Sequence, residues 1–347
     1  MSSNPQQSKS SGPPWVPNTA SLGGIPTVSV DVPIDAVFLA LFIVAAASHM
    51  TLFRRNKARG HKFIPSGATF GFCMARIVAN VLRIVWACYQ HNVRVAIASQ
   101  IFVAAGVVVL FILNLLYSQR LLRAAHPHLG WSRPVSYLFK ALYALVIISL
   151  AMLITVTVQS FYTLNTNTRR IDRDVQLYGS TYFMTVSFLP FVIIAYILLA
   201  PRSDTQRIEK FGKGRWRTKI RLLCATTFLL CLGASFRCGT SYKNPRPATD
   251  PAWYQHKACF YIFNFGVEIC TVYIYLFGRF DQRFYVPDGS SKVRHYRGNS
   301  VSEASEPKGY EQQVRNEDGD EESGLDTLPI VDEARKVDYA NNEQTVV

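Results

Sequence analysis

Two stretches decide the fold: Ile101–Tyr117, IFVAAGVVVLFILNLLY, and Ala141–Val158, ALYALVIISLAMLITVTV. A helix on the surface of a soluble protein keeps a polar stripe, and these have almost none. About 20 apolar residues cross the hydrocarbon core of a bilayer. Working outward, the two stretches extend to Val95–Tyr117 and Val135–Val158, and five more segments of similar length follow the same rule. They are Pro33–Phe53, Ser66–Cys88, Tyr178–Ala200, Lys219–Phe236 and Ala258–Gly278. The chain therefore reads as an all-α, polytopic membrane protein with seven transmembrane helices, its membrane domain running from residue 33 to 288.

Charge supports the same class. The 347 residues carry a net charge of +14, yet only 17% are charged and 49% are apolar. Ordinary soluble domains have about 25% charged residues. A nucleic-acid partner is excluded by that low fraction, because a basic binding surface needs clustered Lys and Arg. The cations instead alternate from loop to loop. Nineteen lie after helices one, three, five and seven, and nine lie on the opposite side. Lys and Arg accumulate in cytoplasmic loops, so the N-terminus is expected outside and the C-terminus in the cytoplasm. The basic inner loops point to anionic lipids at the cytoplasmic face as partners. Trp86, Tyr89, Tyr117 and Trp216 stand near helix ends, where aromatic belts form.

The two ends differ from the body. Residues 1–32, rich in Ser, Pro, Gly and Asn, read as a disordered outer tail, without the basic start and apolar core of a cleaved signal peptide. Residues 289–347 read as a disordered cytoplasmic tail. From Asn299 onward 13 acids face 4 cations, against a body of net +23. Few apolar residues interrupt that run, so it cannot bury a core. Its expected roles are regulation and docking of a cytoplasmic protein partner, together with the inner loops.

Polar residues inside spans are functional-site candidates, since an ionisable group at mid-membrane costs about 2.5–3.5 kcal/mol on insertion scales. Arg76, Asn80 and Arg83 share one face of helix two. Glu268 lies mid-way along helix seven with Asn264 one turn before it. The depths correspond, so Arg76 is expected to pair with Glu268. Two readings stand open: a buried ion pair fixing which helices pack together, or a polar cavity in which Arg76, Arg83 and Glu268 meet an anionic ligand. Lys219 is expected to snorkel to the interface, His49 and Asn114 to bond neighbouring helices, and Pro190 to kink helix five. Gly67 and Gly71 have the spacing of a close helix contact. Cys238 and Cys259 bracket the loop between helices six and seven, on the oxidising side, and are either a disulfide or two free thiols.

No nucleophile–base set, metal-ligand cluster, paired haem histidines or nucleotide-binding motif occurs in a fitting context. No cofactor and no catalysis are expected.

Three stretches carry a resemblance: HMTLFRRNKAR at His49–Arg59, GFCMARIVANVLRIVWA at Gly71–Ala87, and NFGVEICTVYIYLFGRF at Asn264–Phe280. Together they resemble a fungal family of seven-helix membrane proteins of unknown function, over residues 32–288. More distantly the layout is similar to the fungal RTA-like lipid-translocating exporters. There a Glu in the last helix is closely followed by Tyr and Asp; here Glu268, Tyr273 and Asp281 stand further apart. The sequence thus implies an integral protein of the plasma membrane or an endomembrane. Its reading is a sensor or receptor-like bundle, with a lipid-handling transporter as the alternative.

Overall fold

The structure, a computed structural model, describes residues 12–15, 19–201, 208–209, 211–286 and 296. Seven helices are long and apolar enough to cross a membrane: α1 (Asp31–Ala58), α2 (Ile64–Cys88), α3 (Val93–Ala125), α4 (Arg133–Tyr162), α5 (Thr166–Leu199), α6 (Trp216–Ser241) and α7 (Lys257–Phe277). No strand forms among the described residues beyond an isolated bridge between Thr19 and Pro247. We call the end of the bundle at Asp31, Cys88 and Lys257 the N-face, and the opposite end the C-face.

Local chemistry starts several of these helices. Pro65 and Pro134 occupy the first turns of α2 and α4, where a missing N–H costs nothing. Asn92 and Asn165 cap α3 and α5 by accepting from the main-chain N–H of Val95 and Asn167. Burial is inverted relative to a soluble bundle. Large apolar side chains such as Leu199 and Phe277 are 82% and 76% exposed, while Arg76, Glu268 and Asp35 are fully buried. These features are consistent with an integral multi-pass membrane protein.

The helices close a ring. α1 packs on α2, α2 on α3, α5 on α6, and α6 on α7, which returns to α1. α3 is central, touching α2, α4, α5 and α6, and α4 packs on α3 and α5 at the periphery. α3 is interrupted at Val107 between Val93–Gly106 and Val108–Ala125. α7 contains a π-helical stretch, Tyr261–Gly266.

Four expectations change. The helices outrun their apolar windows, most at α5, whose first three turns carry Arg169, Arg170, Asp172 and Arg173. Residues 19–30 are not a disordered tail. Ala20 and Gly23 donate main-chain hydrogen bonds to Arg246 and Gln255, and Gln90 donates to the Pro26 carbonyl, so this segment covers the N-face. Lys219 does not snorkel: it is buried, donates to the Phe211 carbonyl and stacks 4.1 Å over the Phe211 ring. Gly67 sits against Phe53 of α1, but Gly71 faces open space, so the two glycines do not form one contact. Pro190 is buried inside a continuous α5. The acidic tail from Asn299 lies outside the described residues.

The C-face is closed by a clasp between the segment before α6 and the turn Phe280–Arg283 after α7. Lys213 donates to the Gln282 carbonyl at 2.8 Å, and Arg120 of α3 donates to the Phe284 carbonyl. Phe211 lies against Trp216, Phe284 and Tyr296. Burial pushes the Tyr296 hydroxyl up to about 12, against Arg123 and Arg120, which pull it down, so it remains a neutral group at physiological pH. Gly212 has φ +55°, and a Cβ there would stand 2.4 Å from the Arg283 carbonyl oxygen. Gly212→Ala is therefore expected to lower stability by about 1–3 kcal/mol. Gly71→Ala, with open space around it, should leave stability unchanged or raise it by up to about 1 kcal/mol. Thermal unfolding of the detergent-solubilised chain checks both.

Candidate functional site

The buried charges form two layers, both built on α2 and α7. In the central layer, Arg76 donates from Nη2 to Glu268 Oε1 at 2.7 Å, and Arg76 Nε lies 2.6 Å from Oε2. This two-point approach suits the planar guanidinium. Arg76 Nη1 donates to the carbonyls of Phe102 and Val103, just before the interruption of α3. Gly106 leaves the space this needs, since a Cβ there would meet Arg76 Cζ at 3.0 Å. The guanidinium also faces the rings of Phe72 and Phe265 at 5.4 and 5.5 Å. One carboxylate, two carbonyls and two rings thus replace the water that the arginine loses.

Arg237 of α6 completes this layer, with Nη1 3.8 Å from Glu268 Oε1 and 3.4 Å from Asn264 Oδ1. Asn264 and Asn80 each donate back along their own helices, to Phe260 and Arg76.

The second layer lies nearer the N-face. Arg83 Nη2 donates to Asp31 Oδ1 at 2.9 Å, and Arg83 Nε donates to the Tyr261 hydroxyl at 3.1 Å. That hydroxyl donates in turn to Asp31 Oδ1 at 2.9 Å. Lys257 donates to Asp31 Oδ2 and to Thr27, whose main-chain N–H also reaches Asp31. Asp35 stands 3.7 Å from Arg83 Nε. The Phe260 ring lies 4.1 Å from Arg83 Cζ, a cation–π distance. Here two cations meet two acids.

The structure therefore joins Arg76 to Glu268 but does not bring Arg83 to them. In place of one cluster of Arg76, Arg83 and Glu268 there are two separate layers, because Arg83 finds its own acids on α1. Asp31, Asp35, Tyr261, Lys257 and Arg237 are site residues the sequence reading missed. Asp31 and Asp35 are one helical turn apart and as near the N-face as Arg83, which was the available signal. Arg237 counted as a loop cation because α6 continues past Phe236 to Ser241.

Towards the C-face, polar contacts knit the same helices. His49 of α1 bonds the Val272 carbonyl, Asn56 donates to Asp281, and Asn114 accepts from Tyr275 and Thr226. A cavity of about 10 Å³ lies beside His49, Ser66, Tyr117 and Asp281, room for about one water. Cys238 and Cys259 are not joined. Both are free: Cys238 approaches the Thr181 hydroxyl at 3.8 Å, and Cys259 the Trp253 carbonyl at 3.8 Å.

Fold and site together give a bundle of seven membrane-length helices with charged interior layers, consistent with an integral multi-pass membrane protein. Residues 209–285 match the family described as "Protein of unknown function (DUF3112)". The match takes in α6, α7 and the C-face clasp, and with them Arg237, Asn264 and Glu268. No curated protein and no solved structure matches the chain.

Removing one partner of a buried pair strands the other. Arg76→Gln and Glu268→Gln are each expected to cost about 3–5 kcal/mol. The double variant should cost less than the sum by about 0.5–3 kcal/mol. A double-mutant cycle on thermal stability measures this, and strict additivity would contradict the pairing.

Proposed function

We propose that the protein is a non-catalytic, sensor-like seven-helix membrane protein of the plasma membrane or an endomembrane. The N-face lies outside and the C-face in the cytoplasm. A stimulus at the N-face shifts the outer charge layer relative to the central one, and the change reaches the C-face clasp through α7. One observation carries this reading: the π-helical stretch Tyr261–Gly266 runs from Tyr261 of the outer layer to Asn264 of the central one, on the helix that serves both. A π segment holds one residue more than the α-helical path and is often found at functional sites. Passing that residue along α7 would turn Tyr261 by about 100° relative to Glu268. Such an element has two discrete arrangements, which is what coupling between distant sites requires.

The C-face is the output side. Arg54, Arg55, Lys57, Arg59 and Lys62 are all exposed there, suited to an anionic lipid surface and to an acidic protein partner. A second reading, a lipid-handling transporter, is supported by the unmatched cation of the central layer.

Hydrogen exchange on the purified full chain tests the sensor reading. Tyr261 and Phe277, the last residue of α7, are about 24 Å apart along the helix. Asp31→Asn, which disturbs only the outer layer directly, is expected to change exchange at residues 278–284 by about 5–150-fold, the usual range of coupling between sites. Vesicles containing the chain should move a fluorescent phospholipid no faster than protein-free vesicles. Unchanged exchange at 278–284 would overturn the sensor reading, and accelerated lipid movement would replace it with the transporter.

A further inference from the structure

The central layer is not neutral. Arg76 and Arg237 face Glu268 alone, and no other acid pairs with either among the described residues. Glu268 is already held at two points by Arg76. Arg237 touches it only at 3.8 Å, through a single nitrogen that also faces Asn264. Arg237 Nε and Nη2 make no hydrogen bond among the described residues. An uncompensated cation in this setting is disfavoured, and an anion from outside the described chain would answer it.

Arg237 is also the member of the layer that reaches the surface. Its side chain is 22% exposed, whereas those of Arg76 and Glu268 are wholly buried. It lies four residues from the end of α6, about 6 Å along the axis. Its Cα is therefore close to the N-face, while its guanidinium reaches inward to Glu268 of the central layer. The exposed Tyr242, which follows the end of α6, is an amphipathic side chain of the kind found at membrane interfaces. Beside Arg237, Gly239 is exposed with open space where a Cβ would be.

We infer that Arg237 binds a phosphate oxyanion at the surface of the bundle beside α6 and α7, supplied by a phospholipid headgroup or by free phosphate. The two unengaged nitrogens of a guanidinium present the planar fork that matches phosphate oxygens. The bound anion brings the layer from a surplus of one positive charge to balance. This site does not rest on the sensor reading, and a failure of the exchange experiment above would leave it standing.

Native mass spectrometry of the full chain in detergent tests it. The probes are phosphatidylglycerol, phosphatidylcholine and inorganic phosphate, each titrated separately and then in competition. Wild type is expected to retain phospholipid, and Arg237→Gln to bind it at least about tenfold more weakly. Ser241→Glu is a second variant that leaves the side-chain contacts among Arg76, Arg237 and Glu268 in place. Ser241 is exposed and one turn beyond Arg237, so a carboxylate there supplies the missing charge internally and should weaken lipid binding as much. Displacement of lipid by inorganic phosphate would assign the site to the free oxyanion, and resistance to displacement would assign it to the headgroup. If wild type binds none of the three probes, or if Ser241→Glu binds them like wild type, the proposal is wrong.

Discussion

A charge placed among hydrocarbon has to be answered by other groups of the protein, and the contact between Arg76 and Glu268 is where this chain meets that demand most completely. Both side chains are withdrawn from all solvent and lipid. Breaking the contact would leave either one in a medium of low dielectric, where the loss is large. The pair therefore ties α2 to α7 across the interior of the bundle, and α7 also packs on α1 and α6, so the ring closes around it. The interruption in α3 belongs to the same constraint. It lies beside Gly106, which makes room for the guanidinium whose remaining N–H groups need the Phe102 and Val103 carbonyls.

The ends of the bundle extend this logic. At the N-face, Arg83 is covered by main chain as well as by side chains, since residues 19–30 bring Thr27 and Gly23 over Asp31 and Phe260. At the C-face, the segments flanking α6 and α7 are tied to each other. The stretch that matches the family of unknown function, 209–285, thus has its two ends clasped together around two helices. It is a structural unit of the bundle, and it supplies Glu268, Arg237 and Asn264, whereas the arginine that most needs Glu268 comes from α2, outside it.

Much of the fold was legible because the hydrocarbon core reads only hydropathy. Seven windows located seven helices, and α7 was placed within one residue at each end. Helix ends beyond the apolar zone were not legible: residues 166–177 are helical by capping at Asn165 and local bonding, which hydropathy does not report. The central pair followed from depth alone, since Arg76 and Glu268 lie half-way along their helices. The outer layer did not follow, although Asp31 and Asp35 stand one turn apart at matching depth. Asp31 fell in what read as tail, and the ordering of that segment depends on contacts with residues 246 and 255, more than two hundred positions away. Nothing in the composition of residues 19–30 reveals such partners.

The separation of partners along the chain sets an order of events during synthesis. Asp31 and Arg83 are 52 residues apart, so α1 and α2 can enter the membrane as a hairpin in which Arg83 already has a carboxylate. Arg76 and Glu268 are 192 residues apart. At about 5–20 residues per second, Arg76 waits roughly 10–40 s for its carboxylate, while four further helices are inserted. Through that interval the arginine must be sheltered by the α3 carbonyls, by water, or by the insertion machinery. The last helix is then the keystone of assembly, and a chain that stops before it leaves a stranded arginine for quality control to detect.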